Sequence, residues 1–150
     1  MNSKPRRKSF EYRSQLKWTA ERKGIVEFGN DKPSLQVATP VEFKGPPGIA
    51  TPEDMLLGAV SACTMTTFLA FAEREKLAFT SYSDESWGVI GHDGEVYRFM
   101  EAKVHVLLTI EKEEDRAKAE EIIKNSHKAC FISNSLKFPV EVTANIQVAG

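Results

Sequence analysis

Between Glu53-Asp54 and Glu73-Arg74 the chain runs for eighteen residues without a charge, Met55 to Ala72, MLLGAVSACTMTTFLAFA. Thr51 suits an N-cap, Pro52 sits where a missing N–H costs nothing, and Glu53 and Asp54 complement the positive end of a helix. The stretch therefore predicts a helix with a marked start. Its length reaches the lower limit for a membrane span. Gly58, Ser61, Thr64, Thr66 and Thr67 dilute it, however, and no second such run occurs in the sequence. A helix without a polar face in a soluble protein is buried on every side. Cys63, one of two cysteines, lies in its middle.

At 150 residues the sequence fits one domain, 1–150, with 1–8 as a flexible tail. The tail holds a basic cluster, Lys4, Arg6, Arg7 and Lys8 around Pro5, read as a solvated end. A net charge of −1 lacks the basic surplus of a nucleic-acid footprint. Two cysteines are too few for a disulfide framework, and no apolar targeting segment follows Met1, so a cytoplasmic, thiol-reducing setting is expected.

Along the chain the period changes. Phe10, Tyr12, Leu16 and Trp18 alternate with polar residues and predict a half-buried strand. Two more strands follow, at Ile25–Phe28 and around Leu35 and Val37, separated by turns at Glu21–Gly24 and Gly29–Pro33. Val41–Ala50 is a loop around Gly45-Pro46-Pro47-Gly48. After the central helix, Leu77–Ile90 reads as extended, Gly91–Gly94 as a hairpin turn, and Ala102, Val104, Val106, Leu108 and Ile110 as the inward face of a long strand. Glu111–Ala129 predicts a surface helix with Ala117, Ala119, Ile122 and Ile123 as its thin apolar face. Phe131–Lys137 is a short helical turn, and Val140 to Val148 alternate as a last strand. Trp18, Trp87, Phe68 and Phe71 are expected in the core, and His92 and His105 in solvent.

This order is α+β: antiparallel sheets around a long buried central helix. One chain of this size cannot cover such a helix on all sides. A second copy would, which implies a homodimer with a shared core.

The two thiols can be apolar filling or chemistry. As a redox pair, one thiolate would attack and the other resolve, the first passing through a sulfenic acid. An ordinary thiol is only a few per cent ionised at neutral pH, so an attacking cysteine needs a nearby cation, with a carboxylate to fix that cation. Arg22, Lys23 and Glu53 border the central helix and supply those parts. Glu53 and Cys63 are ten positions apart, about 15 Å along a straight helix. They could meet only between two antiparallel copies unless the first turn is broken. His127, Cys130 and Cys63 lack metal-ligand spacing, so no metal is expected.

Gly45-Pro46-Pro47-Gly48, Thr51 to Ala59, Ser61-Ala62-Cys63 and His127-Lys128-Ala129-Cys130 with Ser133-Asn134 resemble the signature of the OsmC/Ohr family, the osmotically inducible and organic hydroperoxide resistance proteins. The resemblance implies an intertwined α+β homodimer with two active sites at the subunit interface. It implies a thiol peroxidase acting on organic hydroperoxides, with Cys63 peroxidatic and Cys130 resolving, and Glu53 holding an arginine, here Arg22, beside the thiolate. No bound cofactor is implied; an external dithiol, such as a dihydrolipoyl group on a reductant protein, resets the pair. Thr64 and Phe131 depart from the family, which often has an aromatic residue and a proline there. Two other classes stand beside the peroxidase: a non-catalytic protein binding a small apolar ligand in the dimer cleft, and a stress-accumulated dimer with inert thiols.

Overall fold

The computed structural model describes residues 7–150. Lys4, Pro5 and Arg6 of the basic cluster lie outside the described residues; Arg7 and Lys8 are exposed. Contacts divide the chain into two compact units, one ending at Pro52 and the other spanning Glu53–Gly150.

The first unit is the expected meander. β1 (Gln15–Ala20), β2 (Lys23–Glu27) and β3 (Leu35–Ala38) form an antiparallel sheet in that order. β1 starts later than the alternation suggests, leaving Phe10 and Tyr12 ahead of it and exposed. It is also not half-buried: Leu16 and Trp18 face solvent, Trp18 at 75% exposure. Three strands form a single layer, and a layer alone cannot cover its own apolar face. The Trp18 indole N–H donates to the Glu21 carbonyl at 2.9 Å, tying the strand to the turn in which Glu21 takes a left-handed φ of 51°.

The following loop is closely packed on itself. A Cβ on Gly45 would come within 1.5 Å of the Thr39 carbonyl oxygen, so glycine is required there. The Gly45 N–H donates to the Pro40 carbonyl at 3.0 Å, and the Ala38 N–H to that of Ala50 at 3.0 Å, closing the loop at its base.

The second unit begins with α1 (Pro52–Arg74), one unbroken helix with its acidic pair in the first turn, as the sequence reading requires. Its burial is narrower than expected. Only Val60, Thr64, Phe68 and Ala72 are fully buried, a single stripe at four-residue spacing. Met65 and Leu69 remain more than a third exposed. The apolar window of α1, with a mean hydropathy of 1.7, is long enough to cross a bilayer, and 22% of it is buried in protein.

β4 (Phe79–His92) and β5 (Tyr97–Ile110) pair antiparallel, their connection falling two residues beyond the expected turn. Ala102, Val104, Val106, Leu108 and Ile110 are all buried, as their alternation predicts. α2 (Arg116–Ala129) starts five residues later than read, after a 3₁₀ turn at Glu113–Asp115. It buries Ala119, Ile122, Ile123 and Ser126, whereas Ala117 points to solvent. α3 (Phe131–Asn134) leads to β6 (Val140–Val148), which joins β5 in parallel. The sheet, ordered β4-β5-β6, is therefore mixed rather than antiparallel. A parallel neighbour needs a crossover, and α2 with α3 provides it.

The core lies on one face of this sheet, where α1 and α2 pack Val60, Phe68, Ala72, Ala119, Ile122 and Ile123 against the β5 row. Phe68 meets Phe79 edge-on at 5.3 Å between centroids. Trp87 is 47% exposed and not in the core, because it pairs with Lys103 on the opposite face. Gly88 allows close approach: a Cβ there would sit 2.9 Å from the Phe99 ring and 3.1 Å from Leu57 of α1.

Candidate active site

Cys63 lies in the middle of α1, half-buried, and Cys130 ends α2, fully buried. Cys130 adopts an extended backbone, φ −66° and ψ 114°, which stops one helix and starts the next. Its N–H still closes onto the His127 carbonyl at 3.3 Å, and its own carbonyl accepts from the Asn134 N–H at 3.0 Å. The Asn134 side-chain amide donates back to the Lys128 carbonyl at 3.0 Å, so both sides of the bend are tied together.

The bend has a chemical consequence. The first N–H groups of a helix have no partner within it. Phe131 and Ile132 open α3, and their backbones, with the Cys130 thiol, act on the Cys63 thiol by hydrogen bonding. From α1 itself the Thr67 hydroxyl lies 3.9 Å from that sulfur, one turn on. Burial pushes the Cys63 thiol up, but the hydrogen bonds from the Ile132 backbone, the Cys130 thiol, the Thr67 hydroxyl and the Phe131 backbone outweigh it. The net shift is downward from the ordinary thiol value. Hydrogen bonds to the charged form act as a nearby cation would. All four donors belong to the unit 53–150, and none of them is a charged group.

The four expected site residues are placed as follows. Cys63 and Cys130 are brought together as free thiols. Glu53 stands in the first turn of the same unbroken helix, about 15 Å of helical rise from Cys63. Its Oε2 is buried and has no hydrogen-bond partner among the described residues. Arg22 belongs to the other unit, exposed in the β1–β2 turn. Its carbonyl accepts from the Thr39 N–H at 3.1 Å, and it lines a cavity of about 340 Å³ with Glu21, Lys44, Gly45 and Pro46. Lys23, the other candidate cation, opens β2.

The sequence reading did not single out Thr67 or the amides of Phe131 and Ile132. Thr67 had a signal, since residues four apart on a helix share a face. The amides had none beyond the helix break at Cys130, because main-chain donors leave no mark in the side-chain pattern. His127 Nδ1 and Ser133 Oγ, flanking Cys130 at three residues on either side, are buried and unpartnered among the described residues. Among the described residues no three His, Cys, Asp or Glu side chains are placed to share a metal ion.

Ser61 of α1 and Tyr82 of β4 both donate to Asp84 of β4, the Tyr82 hydroxyl to Oδ2 at 3.0 Å. Burial, and then the charge of Asp84, push the Tyr82 phenol far up, so it stays a neutral donor.

Comparison with known proteins bears on this arrangement. The family model described as OsmC-like protein matches residues 45–145, a span that includes both cysteine segments. The Bacillus subtilis protein YmaD, itself uncharacterized, is 29% identical over 133 residues, covering 85% of this chain and 87% of its own length. An OsmC-like protein of unknown function from Vibrio cholerae superposes with a TM-score of 0.83 at 17% identity, covering 91% of this chain and all of that one. An organic hydroperoxide resistance protein, OsmC, from Legionella pneumophila superposes with a TM-score of 0.72 at 21% identity, over 93% of this chain and 99% of that one. The fold, the paired cysteine segments and the matched span agree: the chain belongs to the OsmC-like family.

Proposed function

We propose that the chain is a cysteine peroxidase that reduces organic hydroperoxides to alcohols. The observation that carries this reading is the sulfur of Cys63, held by the Cys130 thiol and two backbone amides and lowered in pKa. The name of the Legionella pneumophila protein supports the choice of substrate.

In the first step the Cys63 thiolate attacks the distal oxygen of the hydroperoxide. The S–O bond forms as the O–O bond breaks, and the departing alkoxide takes a proton to leave as alcohol. Cys63 is now a sulfenic acid. In the second step the Cys130 sulfur displaces that hydroxyl, a disulfide forms and water leaves. An external dithiol, a dihydrolipoyl group being the model, then exchanges through a mixed disulfide and returns both thiols. The Cys130 thiol that resolves the sulfenic acid is the one already hydrogen-bonded to Cys63 in the reduced protein.

Arg22 acts in this reading as the cation that orients the peroxide, and Glu53 as the carboxylate that fixes it. The buried, unpartnered Oε2 of Glu53 is an acceptor of the kind a guanidinium satisfies. The reading includes a homodimer, which would cover the exposed apolar positions Met65 and Leu69 of α1 and Leu16 and Trp18 of β1, and a cytoplasmic setting. The test is turnover: reduced protein, cumene hydroperoxide and excess dihydrolipoamide, with the alcohol quantified. Catalytic formation of cumyl alcohol supports the reading; a rate no higher than with Cys63→Ser contradicts it.

A further inference from the structure

α1 carries three threonines in the turn around its cysteine, and their hydroxyls are used differently. Thr64 turns its hydroxyl back to the Val60 carbonyl at 2.8 Å, and Thr66 turns its own to the Cys63 carbonyl at 3.2 Å. Both are ordinary ways for a helical threonine to satisfy itself. Thr67 instead faces the Cys63 sulfur at 3.9 Å, and it is half-buried. That distance is at the long end for a bond to sulfur, which is large and diffuse.

We propose that Thr67 is a positioning residue for the Cys63 thiolate, its hydroxyl donating to the sulfur from the α1 side. The other donors are the Cys130 thiol and the backbones of Phe131 and Ile132, from α3 and the bend before it. The four together clamp the sulfur between two elements distant in sequence. Cys130 is the one titratable group among them. Its thiol is spent as a partner once the disulfide forms, and the amides belong to the α2–α3 bend. Thr67 is the donor that shares a helix with the nucleophile and stays in place through the cycle. The inference concerns the thiol and stands whether or not the peroxidase reading does.

The test is the pH dependence of Cys63 alkylation by iodoacetamide in the full-length reduced protein, followed by peptide mapping. Thr67→Val keeps the shape and removes the hydroxyl. It is expected to move the inflection upward and slow alkylation at neutral pH about threefold to tenfold, tenfold corresponding to one pKa unit. Thr67→Ser, which keeps the hydroxyl, is expected to restore the native profile. Thr66→Val, which removes a neighbouring hydroxyl bonded to carbonyl rather than sulfur, is expected to leave the inflection where it was. A Thr67→Val or Thr67→Ala profile that superposes on the native one overturns the proposal, as does an equal shift in Thr66→Val. Two variants are named at Thr67 so that a folding defect in one, seen by circular dichroism, leaves the other to decide.

Discussion

A hydrogen bond from the Cys130 thiol helps lower the Cys63 thiol, although one residue closes α2 and the other stands mid-way along α1. Neither helix could arrange this alone. The contact exists because Cys130 takes an extended backbone between α2 and α3, which turns its side chain and the next two amides toward α1.

The pair should therefore divide its labour unequally. Cys63→Ser is expected to remove hydroperoxide turnover, because it removes the thiol whose pKa the surrounding hydrogen bonds lower. Cys130→Ser should still consume one equivalent of peroxide and then over-oxidise to sulfinic acid on further addition. Mass spectrometry of each variant after stepwise peroxide addition checks both.

The pH dependence follows from the direction of the Cys63 shift. Its folded pKa lies below the ordinary thiol value, so alkylation should inflect at lower pH in the native protein than in urea. The same sign governs stability. A depressed pKa contributes nothing while both states hold the protonated thiol. Its contribution grows as pH rises above the folded pKa and is complete above the unfolded one. The stability gap between native protein and Cys63→Ser should thus widen from acid to alkaline pH, and denaturant midpoints across that range measure it. A gap that narrows with rising pH contradicts the shift.

Gly88 of β4 lies against Leu57 of α1 and the Phe99 ring. With Phe99 at 2.9 Å and Leu57 at 3.1 Å from the position of a Cβ, Gly88→Val should overpack the contact and cost about 1–3 kcal/mol. Urea unfolding reads that loss. Phe68→Ala, which empties a side chain 1% exposed in the core, should cost about 3–5 kcal/mol.

α1 buries one stripe in its own chain and leaves Leu69 at 39% exposure. If a second copy covers that side, Leu69→Glu places a charge in the contact and should shift the protein toward monomer. Sedimentation velocity over a concentration series is the check; an unchanged monomer–dimer balance contradicts an interface through α1.

Much of the second unit was legible in the sequence because its elements satisfy themselves locally. The uncharged run with Pro52 and the acidic pair marked α1 and its start, and the alternation from Ala102 to Ile110 marked the inward face of β5. What stayed illegible depends on neighbours far along the chain. The parallel pairing of β6 is fixed by the crossover rather than by its own alternation, which reads the same in either direction. Trp18 and Trp87 were assigned to the core on size alone, yet their strand positions face outward in this chain. At the site, the cysteine segments were readable as family motifs. The source of the thiolate's stabilisation was not, since it is carried by backbone amides and by Thr67.

The central claim is that Cys63 and Cys130 form one redox pair. Intact-mass measurement of the reduced protein after one equivalent of tert-butyl hydroperoxide, with peptide mapping, tests it most directly. A loss of two hydrogens within seconds, mapped to a Cys63–Cys130 bridge, is the predicted result. An unchanged mass, or a slow adduct on Cys130 alone, would contradict it.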